Sequence, residues 1–130
     1  MKKLIALLAA GSIAATITSL AATSQDVTKV APDTSTVVFE NAYVRVVRAH
    51  FEPGAREGSH THPAGWYYVT RGGVLAVTGA DGKTENWAPE TGHSEWSNGE
   101  GAHTTHNVSN APMEYLLVEV KAAPTQFPNR

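Results

Sequence analysis

The residues with the clearest chemistry are histidines in two stretches. His60 and His62 sit in a segment that opens at Gly54 and runs through His60-Thr61-His62-Pro63-Ala64-Gly65-Trp66, while His103 and His106 lie between Gly92 and Asn107. Two histidines one residue apart point to the same side of an extended backbone, because side chains on a strand alternate. His60 and His62 therefore make a pincer. A third imidazole from a facing strand would complete a site for a divalent iron, manganese, nickel or zinc ion. The plain alternative is a surface His-x-His in a loop.

His103 and His106 are three residues apart, so a regular strand turns only one of them towards the pincer. His103 begins its run beside an open loop, as His60 does, and is the expected third ligand; His106 is the alternative. His50 and His93 are expected on the surface, since lone histidines are seldom ligands. Glu57, Glu95 and Glu100 lie near the proposed site in sequence, available as a base or substitute ligand but expected to be solvated. Other chemistry fits less well. Ser59 and His60 are strand neighbours that face apart, which removes a serine–histidine nucleophile. Gly99-Glu100-Gly101 lacks a following helix and lysine, which removes a phosphate cradle.

These side chains need strands to hold them, and the sequence supplies short β-rich runs at 34–40, 43–51, 66–70, 74–78, 84–87, 94–96, 103–108 and 113–121. Turn signals separate them, among them Pro53-Gly54, Arg71-Gly72-Gly73, Asp81-Gly82 and Asn110-Ala111-Pro112. No stretch among them has a helical period or cap, so an all-β sandwich or small barrel is expected. In 43–51 the apolar phase slips from Val44 and Val46 to Val47, Ala49 and Phe51, which predicts a bulge with Arg45, Arg48 and His50 turned outward. If Pro63 leaves the register undisturbed, Trp66 and Tyr68 follow His60 and His62 on one face and form an apolar pocket wall.

Composition sets the outer limits. At 130 residues, 42% of them hydrophobic and 17% charged, the chain is long enough for one globular domain with a modest core. It has no cysteine, which excludes disulfides, thiolate ligands and a cysteine nucleophile. A formal charge of −2 without a basic run excludes the electrostatic footprint of a nucleic-acid binder. Met1-Lys2-Lys3, the apolar run 4–18 and Ser19-Leu20-Ala21 read as a signal peptide over 1–21, too short to span a bilayer. Its removal leaves eight basic and twelve acidic residues, a charge of −4, on a soluble periplasmic or secreted protein. Residues 22–33 read as a polar tether, 34–123 as the domain and 124–130 as a tail.

The spacing Gly54-x5-His60-x-His62-x3-Trp66-x6-Gly73 resembles the first motif of the cupin superfamily, with Trp66 in place of its metal-binding glutamate. Gly92-x10-His103-x3-Asn107 resembles the second motif more loosely, its proline and inner glycine falling on Asn98 and Glu100. Leu116-Leu117-Val118-Glu119 is similar to the closing strand of small single-domain cupins. The resemblance covers residues 37–121. It implies a double-stranded β-helix (jelly-roll) barrel, often dimeric, with His60, His62 and His103 around a metal and Asn107 structural at a strand end. Without the glutamate the ion keeps more charge, which favours an anionic or chelating small-molecule ligand. The resemblance further implies either a metal-dependent dioxygenase, isomerase or lyase acting on a small organic substrate, or a metal-free binding or structural module with Trp66 filling the pocket.

Overall fold

The computed structural model describes residues 25–121, so the signal segment 1–21 and the tail 124–130 lie outside the described residues. Two antiparallel sheets face each other. The five-stranded sheet runs β1 (Ser35–Glu40), β2 (Val44–Phe51), β9 (Met113–Val120), β4 (Gly65–Arg71) and β7 (Ser94–Ser97). The four-stranded sheet runs β3 (Arg56–His62), β8 (Glu100–Asn107), β5 (Leu75–Gly79) and β6 (Thr84–Trp87).

Period-two patterning decides which side chains enter the space between the sheets. On β9 the buried residues are Met113, Tyr115, Leu117 and Glu119; on β4 they are Gly65, Tyr67 and Val69. With Ala49 and Phe51 of β2 and Leu75 of β5, the apolar members of these rows form the core. Burying each large side chain is worth about 1.5–3 kcal/mol, so this layer is the main stabilising element. Gly65 permits the close approach of β4 to β9, because a Cβ there would stand 2.7 Å from the Val118 carbonyl oxygen.

Three local expectations are corrected. The bulge lies in β1, where the register with β2 slips between Val37 and Phe39, while β2 pairs with β9 without interruption from Val44↔Val120 to Phe51↔Met113. Arg45 consequently turns inward with Val47, Ala49 and Phe51. It is held by Glu119 and Asp26, each at 2.6 Å, and the apolar residues Val44 and Val46 face out instead. The tether also has structure: α1 (Val27–Val30), capped by the Asp26 side chain on the Thr28 amide, buries Val27 and Ala31. A four-residue helix has no sequence period to read; its packing creates it.

Candidate metal centre

His60 and His62 lie on β3 and His103 on β8, and all three side chains are buried between the sheets. Their ring centroids are 4.4 Å (His60–His103), 4.8 Å (His60–His62) and 5.4 Å (His62–His103) apart. Each offers one nitrogen within 4.8 Å of the others. His106 pairs across the ladder with Arg56 and lies on the other face of the sheet, beside Thr104 and Ala76. His93 is exposed. His50 is half-buried on the outer side, 3.0 Å from both Glu52 and Glu114, which raise its pKa above the ordinary value.

The tautomers of two of these rings are set by the backbone. His60 Nδ1 stands 2.7 Å from the Gly58 carbonyl oxygen, and His103 Nδ1 stands 2.8 Å from that of Gly101. A carbonyl only accepts, so each Nδ1 carries a proton and the neutral ring keeps a bare lone pair on Nε2. Burial, aided by the neighbouring His62 and His103, holds the His60 pKa below its ordinary value despite the opposing pull of Gly58 and Glu57. Among the described residues, His60 Nε2, His62 Nδ1 and Glu119 Oε1 are buried without a hydrogen-bond partner. Such orphans are costly unless something else binds there. Backbone-anchored neutral imidazoles converging on one point are the donor set of a divalent ion, so these residues fit a metal.

Each histidine also has its own glutamate, at 3.6 Å for His60–Glu57, 3.7 Å for His62–Glu119 and 3.5 Å for His103–Glu100. Glu57 is not solvated: it is buried and accepts from Thr34, Ser35 and Thr105 hydroxyls at 2.6, 2.7 and 3.0 Å. Glu119, not expected at the site from the sequence, stands at a core position of β9, where a charge breaks an otherwise apolar row. Burial works to raise its pKa, but His62 and Arg45 outweigh burial and hold it below the ordinary value. Glu100 is partly exposed and accepts from the Tyr67 hydroxyl at 2.8 Å. Glu95 is exposed and accepts from Trp87 Nε1 at 2.9 Å.

Register slips explain why two of these glutamates point inward. Glu57↔Thr105 and His60↔His103 are successive pairs of the β3–β8 ladder, so β3 carries one extra residue between them. Between His60↔His103 and His62↔Glu100 the extra residue is on β8. A residue three before a histidine faces away on a regular strand; one bulge reverses that parity. Gly58 on β3, and Gly101 on β8, were the available signals.

The expected pocket wall is corrected. The strand breaks at Pro63-Ala64 and restarts at Gly65, so Tyr67 turns inward while Trp66 and Tyr68 stack on each other outside, 40% and 39% exposed, with centroids 5.8 Å apart. Among the described residues no indole fills the centre. The wall is formed by Tyr67, Trp87 and Tyr115, whose rings meet at 5.4–5.8 Å around a cavity of about 670 Å³ that reaches His62, His103 and Glu100.

A cupin domain from Bordetella pertussis Tohama I shares 25% identity with a TM-score of 0.63, over 68% of this chain and 92% of that one. The chain folds as a cupin. A double-stranded β-helix protein from Klebsiella pneumoniae aligns at 22% identity and TM-score 0.52, covering 66% of this chain and 74% of that one. The polyketide cyclase RemF from Streptomyces resistomycificus aligns at 17% and 0.52, covering 69% and 66%. No family model and no curated protein matches the sequence. In this cupin fold Asn107 is buried at the strand end and ties its amide to the carbonyls of Phe51, Glu52 and Ala111 at 3.0–3.2 Å.

Proposed function

We propose that this cupin binds a divalent metal ion through His60, His62 and His103 and acts as a metal-dependent enzyme on a small organic molecule held in the adjoining cavity. The observation that carries the reading is the buried, unpartnered Nε2 of His60, held in its ligand tautomer by the Gly58 carbonyl. When bound, the ion would supply Lewis acidity or oxygen activation of the dioxygenase, isomerase or lyase kind. The chain's own contribution is orientation and exclusion of water. Tyr67, Trp87 and Tyr115 offer an aromatic wall to an apolar body. Tyr67 keeps its proton, because burial, Tyr115 and Glu100 all raise its pKa, and so remains a donor.

The metal-free alternative rested on an indole plugging the pocket, and Trp66 lies outside it. Elemental analysis of the purified protein tests the proposal: near-stoichiometric divalent metal is expected in the wild type, and background levels in a His60→Ala/His62→Ala variant. Equal low content in both would overturn it. Export to the periplasm or medium belongs to the same proposal, supported by the residue pattern of 1–21. N-terminal sequencing of protein from the envelope fraction should begin near residue 22, and an intact Met1 would contradict it.

A further inference from the structure

Of the three glutamates beside the histidines, two are fully buried and do not line the cavity. Glu57 has both oxygens engaged by hydroxyls of Thr34, Ser35 and Thr105, while Glu119 is fixed by Arg45 through Oε2 and keeps its Oε1 buried without a hydrogen-bond partner, 3.7 Å from His62 Nδ1. Glu100 differs in two respects. It faces the cavity, and its side chain is 37% exposed and free to adjust; like Glu119 it has one oxygen engaged, here Oε1, by Tyr67 at 2.8 Å and more distantly by Ser97 at 3.5 Å. Its Oε2 stands 3.5 Å from His103 Nε2. With the His103 Nδ1 proton on the Gly101 carbonyl, a neutral ring opposes lone pair to lone pair across that gap, an arrangement that a cation between them relieves. Ligands at about 2.1 Å on a tetrahedral ion stand about 3.4 Å apart, which matches this separation.

The backbone supports the same assignment. His60↔His103 and His62↔Glu100 are consecutive cross-strand pairs of the β3–β8 ladder, so the four side chains occupy the corners of one patch on its inner face. The cupin carboxylate position, residue 66, is an outward tryptophan, and its inward neighbour Tyr67 donates to Glu100 instead. We infer that Glu100 supplies the fourth, carboxylate ligand of the metal centre through Oε2, with Tyr67 positioning it through Oε1. The inference rests on the three-histidine reading above. Ligation forms one metal–oxygen bond, leaves the Tyr67 hydrogen bond in place and changes no oxidation state. One negative charge from β8 then offsets part of the ion's charge.

Zinc affinity by chelator competition, and the visible absorption of the cobalt(II)-loaded protein, test this with the wild type, Glu100→Gln, Glu100→Ala and Tyr67→Phe. Both Glu100 variants should bind zinc at least about tenfold more weakly and alter the cobalt(II) ligand-field bands. Tyr67→Phe should weaken binding by a smaller factor, with the bands retained. Wild-type affinity and unchanged bands in both Glu100 variants would overturn the assignment while leaving the three histidines as ligands. A wild type that takes up neither zinc nor cobalt would overturn both readings. Far-ultraviolet circular dichroism of each variant confirms that a loss is not one of folding.

Discussion

The β2–β9 ladder and the β3–β8 ladder are built on opposite plans. The first pairs eight residues against eight without a slip and fills its inner face with Val47, Ala49, Phe51, Met113, Tyr115 and Leu117, closed at one end by the Arg45–Glu119 ion pair. The second slips twice within seven residues of β3, and its inner face carries Glu57, His60, His62, Glu100 and His103. Regular pairing keeps every second side chain on the same face, which suits a continuous apolar layer. Each bulge places one extra residue against the partner and re-aims those that follow, which lets more polar groups converge than strict alternation allows. Stability is concentrated on one ladder and chemistry on the other.

The largest effect should come from damaging the regular ladder. Phe51→Ala removes a fully buried ring and is expected to cost about 3–5 kcal/mol in urea unfolding, without abolishing metal uptake by the protein that remains folded. Loss of metal uptake at full stability would break the division between the ladders. The bulged ladder should respond to metal instead. Zinc at a hundredfold excess over its dissociation constant is expected to raise stability by about 2.7 kcal/mol, reversibly with chelator, in the wild type and not in His60→Ala/His62→Ala.

A smaller effect should appear at Asp26, which joins the two ladders: it pairs with Arg45 of β2 and bridges Thr61 of β3. Burial works against its ionised form, but hydrogen bonds from Arg45 and Thr28 bring its pKa from 3.8 down to about 2. A pKa lower in the folded state contributes stability above the unfolded value, and that contribution is lost as pH falls from 3.8 towards 2. Asp26→Asn should therefore flatten the acid limb of the stability curve in that window while lowering stability slightly at neutral pH. The smallest effect is expected at Trp66→Glu. Because residue 66 faces outward, zinc affinity should stay within about twofold of the wild type by chelator competition. A marked tightening would mean that β4 presents this position to the site and would sink the register described here.

The fold and the three-histidine cluster were legible because both rest on short-range periodicities. His-x-His parity needs only an extended backbone, and the β-rich runs with their Gly, Pro and Asp-Gly punctuation announce an all-β domain. The same alternation admits only one of His103 and His106, and the place of His103 at the start of its run, beside the open loop, selects it. What escaped the sequence lies where the alternation is interrupted. Trp66 and Tyr68 were assigned to the pocket by counting through Pro63-Ala64, where the strand ends and a new one starts. A bulge in β2 would turn Arg45 outward; the slip belongs to β1, and Arg45 faces in. Glu57 and Glu100 are expected in solvent from the sequence, and only the bulges, which reverse strand parity, bring them to the histidines.

By itself the sequence determined the residue types, their spacing and a preference for short strands, and these sufficed for a cupin barrel with imidazoles gathered on one face. Only the tertiary structure decided which carboxylates accompany them. A bulge is set by how two strands pair across the sheet, and a single extra residue reverses the facing of everything on one side of it.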